Sequence, residues 1–350
     1  MSSPDAFTPG LLSRLAEPPR KVALLRASRI GDFICATPAF RALRAALPKA
    51  EITMITLPIL QDLAQRSPHL DRFIAFPGFP GIAEQFFDAR KTTHFLQQIQ
   101  AKDFDLAIQM QGSGVFSNPF TLLLGAKATA GFIREGDWPG RLDAALPLPS
   151  AGHEVQRVLA LPRFLGAPDQ GEDTEYVLWP EDHLRAEALL SQWKRPLIGL
   201  HPGAWDVGRQ WPLDRFAAVA NGLHQQYGGT IVILSGPQMK PLAQTVAQAI
   251  DEQGACLNLA GKTSLGLLGG VISRLAILIT NDSGPAHAAY ALGTPTVTLF
   301  GPSDPARYGP LQDGPFRLVK PATSDSVTMK DISVQQVLAA ATEIIREPLV

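Results

Sequence analysis

Residues 277–305 read ILITNDSGPAHAAYALGTPTVTLFGPSDP. An apolar strand over 276–279 runs into the polar turn Thr280-Asn281-Asp282-Ser283-Gly284. A helix follows, with Pro285 near its first turn and Gly293 just past its end, the expected placement of these two residues. A second apolar strand over 296–300 then closes in a Gly-Pro turn, so the stretch is a βαβ unit. Its polar turn falls at the carboxyl end of a parallel strand and at the N-terminus of a helix. Free backbone N–H groups and the positive end of the helix dipole meet there, which suits the turn to phosphate. Ser283 and Gly284 would let a pyrophosphate approach the backbone, and Asp282 could contact a sugar hydroxyl. An ordinary βα turn capped by Asp282 or Ser283 carries the same local pattern.

The same alternation extends on both sides. Upstream, strands are predicted over 196–200, 230–234 and 256–259, and helices over 181–193, 212–227, 238–252 and 264–274, with a last helix over 334–346. In the first half, a buried strand over 21–26 enters the turn Ala27-Ser28-Arg29-Ile30-Gly31-Asp32. A helix follows, reset at Thr37-Pro38 and stopped at Leu47-Pro48. Further strands are predicted over 51–57, 72–76, 104–109 and 128–132. Helices are predicted over 59–66, after the Pro/Gly-rich loop 77–81 to near Ala101, over 119–124, and over 153–165 up to Gly166. The turn Gln111-Gly112-Ser113-Gly114 is a second candidate substrate loop, and 133–151 reads as a long loop. The polar run 167–174 marks a boundary. The expected organisation is a tail over 1–20, one doubly wound domain over 21–170 and a second over 175–350, with the last helix free to pack back on the first domain. Ligands in such sheets sit beyond the carboxyl ends of the strands.

Composition narrows the function. Hydrophobic residues make up 45% and charged residues 18% of 350, enough for large cores, and the net charge of −1 argues against a nucleic-acid partner. Two cysteines exclude a disulfide framework and a Cys-rich metal site, and fit a reducing, cytosolic compartment. No run approaches the roughly 18 apolar residues of a membrane span. That leaves room only for peripheral contact with the inner membrane. No GxGxxG follows any strand, which disfavours a dinucleotide oxidoreductase.

Four pieces stand in order: RASRIGDFICATPAFRALRAALPKAEI (26–52), IGLHPGAWDVGRQWPLDRF (198–216), ILSGP (233–237) and NLAGKTSLGLLGGVISRLAILITNDSGPAHAAYALGTPTVTLFGPSDP (258–305). Together they resemble glycosyltransferase family 9, the ADP-heptose:lipopolysaccharide heptosyltransferases. The resemblance implies a GT-B fold, two Rossmann-like doubly wound domains facing across a cleft, the first for the acceptor and the second for the sugar nucleotide. It implies inverting transfer of heptose from ADP-heptose to a lipopolysaccharide inner-core acceptor. The loops assigned to the cleft hold no clustered His, Cys or carboxylate set and no Asp-x-Asp, so no metal and no cofactor are expected. By the same resemblance, Asp32 is the carboxylate that deprotonates the acceptor hydroxyl, a task suited to a carboxylate at a loop tip. Arg209 is a fixed cation able to neutralise the pyrophosphate leaving group. His201, Gly203, Ser235, Gly236, Lys262, Asp282, Ser283, Gly284 and His287 match donor-binding positions. His201 could equally pack beneath the pocket, and a lone helical His such as His287 is often structural. Thr37 and Pro38 set the helix that presents Asp32. Arg29, Arg41, Arg44 and Gln111 are candidates for an anionic glycan acceptor, although helix arginines commonly form only a solvated face.

One departure bears on the donor. After Ser235-Gly236-Pro237 stand Gln238, Met239 and Lys240, where an acidic residue often holds the ribose. Two other functions therefore stay open. One is a GT-B enzyme on another sugar nucleotide, a UDP-sugar transferase or epimerase. The other is a non-catalytic sugar-nucleotide-binding protein.

Overall fold

The computed structural model describes residues 6–322 and 327–346. The chain divides into two compact units, Met1–Thr174 and Glu175–Val350. Each is built on a six-stranded, all-parallel sheet. The first contains β1 (Lys21–Leu25), β2 (Glu51–Thr56), β3 (Arg72–Ala75), β4 (Leu106–Gln109), β5 (Ala128–Ile133) and β6 (Ala144–Pro147), in the order β3-β2-β1-β4-β5-β6. The second contains β7 (Leu197–His201), β8 (Thr230–Ile233), β9 (Cys256–Asn258), β10 (Ile277–Asn281), β11 (Thr296–Leu299) and β12 (Phe316–Val319), in the order β12-β11-β10-β7-β8-β9. Both are the doubly wound order 3-2-1-4-5-6.

The strands read as they do because of where they lie. β4, β5, β7, β8, β10 and β11 are buried along their whole length, as are the last four residues of β1. Helices cover both faces of such a sheet, so its inner strands appear as continuous apolar runs. The edge strands β6 and β12 are short and only partly buried, and the sequence pattern misses them. The stretch 133–151, expected to be a loop, instead folds back to place β6 beside β5, with Ala130 paired to Ala144. A short helix, Pro305–Tyr308, also precedes β12.

Helix ends moved where capping chemistry decided them. The helix expected straight after Gly81 begins only at Ala89, where the Asp88 carboxylate accepts from the Lys91 N–H at 3.0 Å. The helix expected over 238–252 is Lys240–Gln248, preceded by a 3₁₀ turn over Pro237–Met239. The one expected over 181–193 ends at Leu190. Ile30–Cys35 is already helical, so Gly31 and Asp32 occupy a first helical turn rather than an open loop. Part of the N-terminal segment docks on the first unit. The Ala145 N–H donates to the Ala6 carbonyl at 2.7 Å, the Gly10 N–H donates to that of Phe164 at 2.8 Å, and Leu11–Arg14 forms a short helix. The last helix, Val334–Arg346, packs within the second unit against the helix Leu213–Tyr227 and β10, β11 and β12. Among the described residues no helix is long and apolar enough to cross a membrane.

Candidate active site

In a doubly wound sheet the two central strands send their following chains in opposite directions, which opens a crevice at their carboxyl ends. In the second unit those strands are β7 and β10. A fully buried amide stitches the loops together: Asn281 Nδ2 donates to the Pro202 carbonyl at 2.9 Å, and its Oδ1 accepts from the Trp211 N–H at 3.1 Å. Beside it Arg209 Nη1 donates to Asp282 Oδ2 at 3.1 Å. The Asp282 side chain is only 3% exposed, whereas that of Arg209 is 35% exposed. Asp282 is thus committed to Arg209 rather than open to a sugar hydroxyl. The guanidinium also lies 5.8 Å from the centre of the Tyr308 ring. A fixed cation therefore stands at the strand end, with one side anchored and part of its surface open.

The helix Gly284–Ala291 starts immediately after this pair. Its N-cap, Ser283, makes no side-chain cap hydrogen bond; its hydroxyl lies 3.3 Å from that of Thr280. The capped-turn alternative therefore fails in the geometry, and the positive helix end is not occupied by its own cap. Ser283 and Gly284 are partly exposed. His287 is buried, with its ring edge-on to Tyr290 at 5.9 Å between centres.

The neighbouring strand ends complete this side. His201 ends β7, and its Nδ1 lies 2.8 Å from the Leu234 carbonyl. A carbonyl only accepts, so Nδ1 carries the proton. Burial pushes the His201 pKa down to about 4, and the ring is neutral at pH 7. His201 shapes the pocket from beneath. A side chain at Gly203 would stand 3.3 Å from Met239 Cγ and from Ser235 Oγ, so these three residues crowd one corner. Gly236 opens the 3₁₀ turn over Pro237–Met239. Lys262 Nζ donates to the Asn258 carbonyl at 2.8 Å. Gly261 takes φ +65°, and a Cβ there would strike Lys240 Cε at 2.2 Å, so Gly261 lets Lys240 cross the loop.

The first unit repeats this arrangement between β1 and β4. Arg26, the residue after β1, is 3% exposed. Its Nε donates to the Asp32 carbonyl at 3.0 Å and its Nη1 to the Met110 carbonyl at 2.5 Å. Its Nη2 lies 3.5 Å from Glu154 Oε1, and Glu154 in turn meets Arg157 at 2.6 Å. The half-buried Asp32 carboxylate has no hydrogen-bond partner among the described residues, and the N-cap of its helix is Arg29. Asp32 is not a cap. Burial draws the Arg29 pKa down, while the charges of Glu84 and Asp32 hold it up. Gln111 Nε2 donates to Glu84 Oε1 at 3.4 Å. Asp32, Arg29, Glu84 and Gln111 therefore share one strand-end surface.

Arg41 and Arg44 are engaged elsewhere. Arg41 donates to the carbonyls of Gln170, Gly171 and Asp173, tying down the segment that leads out of the first unit. Arg44 donates to the Ala50 and His69 carbonyls and pairs with the Asp71 carboxylate. Both guanidiniums serve the fold. Asn281, Glu84 and the Arg26–Glu154–Arg157 group emerge only from the structure. Their one sequence signal is that Arg26 and Asn281 are polar residues closing apolar strands.

Buried polar atoms are nearly always hydrogen-bonded. Five buried side-chain oxygens have no partner among the described residues, and three of them, those of Ser28, Gln111 and Ser235, lie at these strand ends. No set of three His, Cys, Asp or Glu side chains among the described residues is grouped to hold a metal ion.

The model of "Glycosyltransferase family 9 (heptosyltransferase)" matches residues 92–330. The lipopolysaccharide core heptosyltransferase OpsX of Haemophilus influenzae is 25% identical over 300 residues, 84% of this chain and 82% of that protein. Lipopolysaccharide heptosyltransferase 2 of Escherichia coli is 28% identical over 314 residues, 83% and 85% of the two chains. The solved structure of E. coli ADP-heptose LPS heptosyltransferase II superposes with a TM-score of 0.78 at 23% identity. It covers 93% of this chain and 98% of its own, a likeness of fold.

Proposed function

Because the chain belongs to glycosyltransferase family 9 and is a glycosyltransferase of the GT-B fold, we propose that it moves a heptose from ADP-heptose to a hydroxyl of the lipopolysaccharide inner core, with inversion. The observation that carries the reading is the Arg209–Asp282 pair at the uncapped N-terminus of Gly284–Ala291. An anionic diphosphate fits a fixed cation beside free backbone N–H groups. The donor site is assigned to the second unit, on Gly203, Ser235, Gly236, Lys262, Ser283, Gly284 and Arg209, with His201, Asp282 and His287 as its buried support. The acceptor is assigned to the first unit, beside Asp32, Arg29 and Gln111.

The chemistry follows from these groups. The acceptor oxygen forms a bond to the anomeric carbon as the bond from that carbon to the pyrophosphate oxygen breaks. Asp32 takes the proton of the attacking hydroxyl. ADP leaves with the bonding pair, and Arg209 and the helix N-terminus stabilise the charge that develops on it. A carboxylate base and a positively charged leaving-group site account for the reaction without a cofactor.

A second reading draws on one observation. Lys240, not a carboxylate, reaches across Gly261 beside the Ser235-Gly236-Pro237 turn, so an acidic ribose contact is missing there. That favours a nucleotide held by different contacts, as in an enzyme for another sugar nucleotide. A calorimetric panel of ADP-, UDP- and GDP-sugars, followed by mass analysis of the product on a heptose-deficient lipopolysaccharide core, separates the two. Binding and transfer with ADP-heptose alone supports the first reading. Preference for a UDP-sugar overturns it.

A further inference from the structure

We propose that Arg26 is a positioning residue for the transfer, holding the main chain of Asp32 and the strand end before Gln111 in one fixed register. The proposal rests on the reading of Asp32 as the base. Its basis is the choice of acceptors made by one buried guanidinium. The Nε donates to the carbonyl of Asp32 itself, and the Nη1 donates to the carbonyl of Met110, next to Gln111. The third nitrogen turns toward Glu154, which a second buried arginine, Arg157, holds from its other side. The Arg157 Nε is itself used on the Pro149 carbonyl at 2.5 Å.

Burying a cation at this depth is unfavourable until partners offset its desolvation, and an apolar residue would fill the core without that penalty. The guanidinium offers something a hydrophobic side chain does not: a rigid planar fork whose donors diverge at fixed angles. Here the fork lies just beyond the carboxyl ends of the paired strands β1 and β4, where the chains that follow them diverge. One arm fixes the first helical turn bearing the Asp32 carboxylate, and the other fixes the loop that presents Gln111. The backbone of Arg26 is itself held: its N–H donates to the Ile55 carbonyl at 3.1 Å, and its carbonyl accepts from Thr56 Oγ1 at 2.6 Å. Glu154 heads the helix Glu154–Leu165, where its negative charge meets the positive helix end. The Asp32 carboxylate has no hydrogen-bond partner among the described residues, so its position depends on the main chain that Arg26 grips.

The test uses the full-length enzyme with ADP-heptose and a heptose-deficient lipopolysaccharide core, in four forms: wild type, Arg26→Lys, Asp32→Asn and the double variant. Turnover, ADP affinity by calorimetry and melting temperature are read for each. Lysine keeps the charge but loses the fork. Arg26→Lys should lower kcat about 10²-fold, the cost of a misplacement near 1 Å, with ADP affinity within about twofold of wild type. Asp32→Asn should lower kcat by about 10²–10⁴-fold. The double variant should be no slower than Asp32→Asn alone, because a residue that acts through Asp32 has nothing left to position. A lowered melting temperature with kcat unchanged in Arg26→Lys, while Asp32→Asn is slow, makes Arg26 purely structural and overturns the proposal alone. Losses that multiply in the double variant overturn it as well. Near-normal turnover in Asp32→Asn overturns the base reading and this proposal with it. Should Arg26→Lys not fold, Glu154→Gln loosens the same guanidinium while keeping its shape, and kcat there should fall about tenfold at constant ADP affinity. Wild-type kcat in Glu154→Gln would overturn the proposal.

Discussion

Replacing Arg209 by methionine separates what the Arg209–Asp282 pair does for the fold from what it does for the reaction. At 3.1 Å the gross attraction is about 5 kcal/mol at an effective dielectric of 20. Most of that offsets desolvation of Asp282, which is almost fully buried. Removing one member of a fully buried pair costs about 3–5 kcal/mol. Arg209, however, is one-third exposed, and the adjacent helix N-terminus also favours the Asp282 charge. A loss of about 1–3 kcal/mol of stability is therefore expected, or several degrees of melting temperature at about 2–4 °C per kcal/mol. The effect on turnover should be larger. A fixed donor aimed at developing charge contributes about 10²–10³-fold, near 3–4 kcal/mol of barrier. The decisive variant is the double one. Arg209→Met with Asp282→Asn removes the stranded carboxylate and should restore most of the stability, yet turnover should stay at the level of Arg209→Met. The assays are denaturant unfolding and release of nucleotide diphosphate. Turnover of Arg209→Met within about threefold of wild type, or recovery of turnover in the double variant, would refute the role given to this cation.

Gly284→Val places a branched side chain at the first residue of Gly284–Ala291. It should weaken donor binding with the melting temperature unchanged; equal calorimetric affinity would count against a backbone contact to pyrophosphate. Because Arg209 and the helix N-terminus supply positive charge at the leaving group, turnover should survive excess EDTA; complete loss in chelator with recovery on adding magnesium would contradict this. His201, buried and neutral, has a folded pKa of about 4, below its unfolded value of about 6.5. Its contribution is full above about pH 6.5 and is lost as pH falls toward 4, because the unfolded chain takes up the proton first. His201→Gln should flatten that part of the stability profile, as measured by denaturant midpoints at pH 7, 6 and 5; an unchanged slope would remove His201 as its source.

How far the chain could be read in advance depended on whether the signal was local. The strand-turn-helix-strand stretch around Asp282 was legible because β10 opens on the apolar run Ile277-Leu278-Ile279, β11 is rich in β-branched residues, and Pro285 and Gly293 punctuate the helix between them. The same holds for β1 and the turn leading to Asp32. The edge strands β6 and β12 were not legible, since they are four residues long, only partly buried, and owe their place to pairing with β5 and β11. Arg41 and Arg44 sit on a helix face where sequence cannot tell a substrate contact from a fold contact; only the linker carbonyls and Asp71 decide between them.

What the sequence determined alone is the alternation of elements, and with it two doubly wound sheets whose strand ends carry polar loops. Propensity, capping and apolar periodicity act over a few residues, so they are written where they act. What the tertiary structure decided is pairing between residues far apart in the chain: Arg209 with Asp282, Asn281 with the 202–211 loop, and Arg26 with Met110 and Glu154. Each pair joins segments far apart in the chain that become neighbours only when the sheet and its covering helices assemble. A buried charge or amide is tolerable there only because that assembly supplies its partner.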